Sequence, residues 1–262
     1  MKNQIYPNLK QGVFLFLSLV SSFAAFFLFA YGLPKLFGYD LSLSYISITK
    51  NIAVLIPIPF VLYGQKRAKV NVRKMMDFRT ISFQKLAILF LIAVSIGIII
   101  HPLANPTFFF KSLFADKLWI LSIKKPTVDI NFVLSFLSIV VVTPILEEAL
   151  LRGIILRQFL KRYSPLFSIL ITSIFFALGH ISLQHFIEYF VWGIVLGILY
   201  FKLRSLSFCI MVHSMVNLFS LIVDSSPVKV SYGLIVVSAL IYCLAIILII
   251  AGIYRLSRIE KQ

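Results

Sequence analysis

The sequence predicts an all-α polytopic membrane protein, a bundle of about eight transmembrane helices around a polar intramembrane cavity. Three observations predict it. First, 60% of the 262 residues are hydrophobic and only 13% are charged, against roughly 45–50% and 25% in soluble domains. Mean hydropathy is +1.00, and so little polar surface cannot cover a water-soluble core. Second, apolar runs recur at the length of about 20 residues that crosses a bilayer. Third, the 25 Lys and Arg residues gather in short stretches between those runs, as the loops of a multi-pass protein do. A soluble globular enzyme, a disordered chain and a coiled coil are excluded by the same composition. Two cysteines, Cys209 and Cys243, both inside apolar runs, exclude a disulfide framework. The net charge of +16 does not call for nucleic acid as a partner, because no aromatic-basic stripe lies outside the apolar runs.

Taken in order, the expected spans are 12–33, 45–63, 84–102, 130–150, 165–183, 186–203, 206–223 and 232–254. The first is too long for a signal-peptide core and lacks a small-residue cleavage site. The second is the weakest, since it carries Lys50, Pro57 and Pro59. In the fourth, the helical pattern continues past Glu147 to about Tyr163, with Pro144 expected to bend it. Gly193 and Gly197 in the sixth form a GxxxG pair, which admits a close neighbour. The loop 103–129 reads as a soluble loop or, preferably, as an amphipathic segment at the interface. No internal repeat is visible, and residues 1–262 read as a single membrane domain.

Alternating these spans leaves seven Lys on one side, namely Lys35, Lys50, Lys111, Lys117, Lys124, Lys125 and Lys229, and the other 18 basic residues opposite. That bias puts both termini in the cytoplasm.

Charges are costly in hydrocarbon, so an ionisable residue in an apolar run marks a candidate site. Of nine acidic residues, three lie in such runs: Glu147, Glu148 and Glu188. Glu148 and Arg152 are four apart and share a helix face. Glu147 is turned by about 100° from Glu148, free to face the bundle as a general base on water. A solvated helix end is the alternative reading of this pair. Phe176 and His180 share a face, so the Phe can pack on the imidazole; otherwise His180 is a core histidine bonded to a carbonyl. His213 and Asn217 share another face and offer two donors for an oxyanion, or else an interhelical hydrogen bond. Glu188 is expected at the interface, with the cavity wall as the alternative, and His185 is expected to be solvated.

EEALLR (147–152), FFALGH (175–180) and HSMVN (213–217) resemble the EExxxR, FxxxH and HxxxN/B motifs of the CPBP family of intramembrane proteases. That family includes the type II CAAX prenyl endopeptidases and bacteriocin-processing or self-immunity (Abi) proteins. The motif-bearing core would be residues 130–222. The resemblance implies an intramembrane endopeptidase in which Glu147 and His180 activate water and His213 and Asn217 stabilise the oxyanion. Glu148, Arg152 and Phe176 would be supporting residues. No metal cofactor is favoured, because HExxH is absent and no ligand pair shares a helix; Zn²⁺ on Glu147, His180 and His213 is the alternative. The expected partners are membrane lipid and a membrane-bound, prenylated or leader-peptide substrate, and the expected location is a bacterial cytoplasmic membrane. A non-proteolytic binding, immunity or scaffold protein, or a solute transporter, are the competing functions.

Overall fold

The computed structural model describes residues 6–76, 82–100, 117–123, 130–183, 185–229 and 232–259. The helices are α1 (Leu9–Leu36), α2 (Leu43–Ala53), α3 (Pro57–Ala68), the single turn α4 (Val72–Met75) and α5 (Phe83–Ile100). They continue with α6 (Ile130–Phe159), α7 (Pro165–Gly179), α8 (Phe186–Leu203), α9 (Leu206–Ile222) and α10 (Tyr232–Ile259). Among the described residues, five helical stretches are long and apolar enough to cross a membrane, and three shorter apolar helices accompany them. The fold is therefore that of a helical, polytopic membrane protein.

The eight expected spans each correspond to a helical rod, with shifted ends. The second rod starts earlier, at Leu43, and is broken between Ala53 and Pro57. Pro57 has no amide hydrogen to donate back into the preceding turn. Tight bonds from Leu55 to Ile52 O and from Ile56 to Ala53 O close the break. The fifth rod is shorter than expected: α7 stops at Gly179, and His180 is its cap. Ile181 follows at φ 49°, a left-handed conformation that a β-branched side chain rarely adopts. Such an outlier beside a candidate site is where backbone strain is commonly stored.

Residues 117–123 of the expected interfacial segment form instead a strand, β1 (Lys117–Ile123), antiparallel to β2 (Val223–Lys229). The two lie over a hundred residues apart, so no local pattern announces the pairing. The remainder of that loop lies outside the described residues.

Packing follows the apolar faces. Leu89, Ile92, Ile154, Ile155, Leu156, Phe159, Leu196, Leu199, Phe208 and Val212 are buried together at the centre, drawn from α5, α6, α8 and α9. Outside, Phe14, Phe29, Leu240 and Ile250 are exposed. That inversion suits lipid as the solvent, since soluble monomers rarely show broad apolar surface.

The GxxxG pair sets the α7–α8 contact. A Cβ on Gly193 would lie 2.9 Å from Ser173 Cα, and one on Gly197 would lie 2.9 Å from Ile169 Cγ2. Backbone cannot rotate aside, so Gly193→Val forces the helices apart. An overpacked core of this kind costs about 1–3 kcal/mol. The expected result is a lowered melting temperature in detergent; an unchanged one would mean that α7 and α8 shift freely.

Candidate active site

α6 carries the acidic pair on an irregular stretch. Wide π-type turns run from Phe136 to Val142 and from Ala149 to Leu156, flanking the α-helical Thr143–Glu148. Pro144 lies at the start of that middle segment, directly after the first wide turn. Such π turns are frequent at functional sites.

The two carboxylates diverge. Glu148 is fully buried and Glu147 is 29% exposed. Glu148 Oε1 accepts from Arg152 Nη1 at 2.8 Å and lies 2.9 Å from His213 Nδ1. Arg152, also fully buried, donates from Nη2 to Gly193 O at 3.2 Å, and its guanidinium lies over the Phe176 ring at 4.9 Å. One ion pair thus ties α6 to α7, α8 and α9.

His213 reaches Glu147 as well. Its Nε2 stands 3.9 Å from Glu147 Oε2. A carboxylate only accepts, so the short contact to Glu148 places a hydrogen on Nδ1 of His213.

His180 Nδ1 lies 2.8 Å from Phe176 O, one turn back. A carbonyl only accepts, so Nδ1 carries the hydrogen and the neutral ring offers the Nε2 lone pair. Phe176 packs against the ring with centroids 4.7 Å apart. The ring thus has both contacts the sequence suggested, the Phe176 ring beside it and a carbonyl on Nδ1, and it also lines a cavity.

Glu147 and His180 line two adjoining cavities of about 70 and 450 Å³. The smaller also holds Phe16, Val20 and Phe176, and the larger holds Phe27, Lys50, Val54 and Thr143. The walls combine apolar side chains with a few polar groups, Glu147 and His180 among them. Neither His213 nor Asn217 lines them. His213 is buried behind Glu147, and Asn217 Nδ2 donates to Ile139 O at 2.8 Å, bridging α9 to the first wide turn of α6.

Glu188 was expected at the interface and is buried, with its Oε2 3.2 Å from His185 Nδ1. The pairing explains it: three residues apart at the start of α8, the two share a face. His185 is about one-third exposed, so it is only partly solvated.

Three features escaped the sequence. Tyr189 stacks on His180 with centroids 3.9 Å apart. Trp192 stands edge-on to His213 at 4.7 Å. Both lie on the α8 face that carries Gly193 and Gly197, and that shared spacing was the available signal. The third, the Glu148–His213 contact, joins helices distant in sequence and had no local signal.

Among the described residues no three His, Cys, Asp or Glu groups are spaced to hold a metal ion; the Nδ1 of His180 and of His213 each meets an oxygen, which leaves Nε2 as the nitrogen open to a ligand.

Residues 129–219, which carry all of these motifs, match the family described as Type II CAAX prenyl endopeptidase Rce1-like. Over that segment the chain is similar to that family. The chain is also 33% identical over 89 residues to a Bacillus subtilis (strain 168) protein named "Putative membrane peptidase YdiL". The match covers 34% of this chain and 36% of that protein, so it spans about a third of the relative's length. No solved structure matches.

Proposed function

We propose that the chain is an intramembrane endopeptidase that cuts a membrane-associated, lipidated or leader peptide with water activated by Glu147 and His180. One observation carries the proposal: a carboxylate from α6 and an imidazole from α7 face the same cavity, and His213 stands 3.9 Å from that carboxylate. The match to a type II CAAX prenyl endopeptidase family supports the reaction class.

The chemistry follows from what each group can donate or accept. Glu147 takes a proton from water as the oxygen attacks the scissile carbonyl carbon. The Nε2 lone pair of His180 holds the second water hydrogen. The C–N bond then breaks, and the proton on Glu147 passes to the leaving amine. The family resemblance gives the developing oxyanion to His213 and Asn217; neither side chain lines the two cavities, so this step requires them to turn toward the substrate. Oε2 of Glu147 and Nε1 of Trp192 are buried without a hydrogen-bonding partner among the described residues, so the site retains polar capacity for a reacting group.

The test is the purified chain in lipid nanodiscs, offered prenylated and unprenylated peptides and read by mass spectrometry. Cleavage is expected to survive a zinc chelator and to fall at least ~10²-fold in His180→Ala. Loss of cleavage with chelator favours the zinc reading. No cleavage of any peptide favours a binding or immunity protein.

A further inference from the structure

The face of α8 opposite the one that carries Tyr189 and Gly193 borders a separate cavity. Val191, Val195 and Ile198 line it from α8, and Ile246, Ile249 and Ile253 line it from α10. These positions recur at three and four residues, so each helix presents one apolar stripe. The volume is about 520 Å³, within the roughly 300–1,000 Å³ of ligand pockets. The cavity shares no lining residue with those of Glu147 and His180.

The two helices are held at this spacing from behind. α8 is seated on α7 through Gly193 and Gly197, and α10 is seated on α5 at Gly252, where a Cβ would lie 2.8 Å from Ile92 Cγ1. Closing the gap between α8 and α10 would open one of those contacts, so the space persists.

One end of the slot is cationic. Lys202, in the last turn of α8, lines it together with Tyr254 and Ser257 of α10. α9 returns the chain between the two helices, so α8 and α10 run the same way and these residues lie at one end. Arg258 donates from Nη2 to the Tyr254 hydroxyl, and its guanidinium lies 5.0 Å from that ring. The ammonium of Lys202 stands 5.9 Å from the Phe201 ring, near the limit of a cation–π contact. Among the described residues no carboxylate lies within ion-pair distance of Lys202 or Arg258. A lysine at a helix end reaches the headgroup layer unaided, and a helix C-terminus favours its charge. Neither effect accounts for the apolar slot beneath it. From Val191 to Lys202 that slot follows roughly 16 Å of helix, half of the ~30 Å hydrocarbon thickness.

We propose that this slot binds an anionic phospholipid, with one acyl chain between α8 and α10 and the headgroup phosphate held by Lys202, Arg258 standing beside it. Charge complementarity selects the occupant. An apolar channel one leaflet deep, ending at two cations without carboxylate partners, matches an amphipathic anion better than an uncharged lipid or an apolar helix. The same end lies on the side that the bias of Lys and Arg points to as cytoplasmic, where anionic lipids attract basic groups. The site does not depend on the peptidase reading.

Native mass spectrometry of the full chain tests it, with the protein released from mild detergent containing phosphatidylglycerol or phosphatidylcholine of identical acyl chains. The unaltered chain is expected to retain phosphatidylglycerol at least ~10-fold more tightly than phosphatidylcholine, as a charge-assisted hydrogen bond allows. In Lys202→Met the preference falls most of the way to one, and Lys202→Arg keeps most of it, since it keeps the charge. Ile250→Trp, at an exposed position lining the slot, abolishes retention by filling the space. Lys10→Met, on an exposed lysine outside the slot, leaves the preference unchanged. Equal retention of the two lipids by the unaltered chain overturns the proposal, as does a preference that survives either Lys202→Met or Ile250→Trp. A loss as large in Lys10→Met also overturns it, since net positive charge would then be the cause. So does a dimer that forms in place of the lipid complex, which would give the slot to a second copy of the chain.

Discussion

Arg152→Ala is expected to cost about 3–5 kcal/mol of stability, because it strands a buried carboxylate. Glu148 and Arg152 are both fully enclosed and meet at 2.8 Å. Removing the guanidinium also removes the donor to Gly193 O and the cation over Phe176. A surface pair at the same i,i+4 spacing would contribute only about 0.3–0.5 kcal/mol, so the measurement separates the two environments by nearly tenfold. Detergent-solubilised chain, followed by thermal unfolding, gives the readout. The double variant Glu148→Gln/Arg152→Met is expected to recover much of the loss, since it leaves no uncompensated charge and the new side-chain amide keeps an oxygen for His213. A loss below about 1 kcal/mol for Arg152→Ala would show that Glu148 finds another partner or takes up a proton.

The same pair shows how far the sequence could be read. Spacing alone put Glu148 and Arg152 on one face, because helical geometry is local and periodic. It also separated Glu147 from them, and the structure gives the two carboxylates different exposures. The rods were legible for the same reason: about twenty apolar residues are a one-dimensional signal. Their ends were less so. The break at Val54 depends on how Pro57 settles against its neighbours, and the early stop of α7 depends on a left-handed Ile181.

What the sequence withheld was every contact that needs two helices to find each other. His213 was assigned beside Asn217 because both lie on α9, yet its ring turns to the two carboxylates on α6, while Asn217 bonds Ile139 O. Tyr189 and Trp192 lie on the face of α8 that carries Gly193. They became neighbours of the two histidines only once Gly193 and Gly197 let α7 and α8 close.

Glu147→Gln is the second large effect, and it falls on activity instead of stability. The substitution keeps the shape of the carboxylate, with nitrogen in place of one oxygen, while removing its basicity. The side chain as a whole is 29% exposed and the amide is the same size, so it is readily accommodated. A general base contributes about 10²–10⁴-fold, and kcat should fall by that range with a melting temperature close to the unaltered chain. Glu147→Asp provides the positional control. It keeps the charge but withdraws the oxygens by one methylene, and a misplacement of about 1 Å can cost ~10²-fold. Glu148→Gln supplies the contrast: it disturbs the Arg152 and His213 contacts and lowers the melting temperature together with the rate. If instead Glu147→Gln kept activity within tenfold, the proton would have to leave water by another route. His180, whose Nε2 lone pair faces the same cavity, would then be the base.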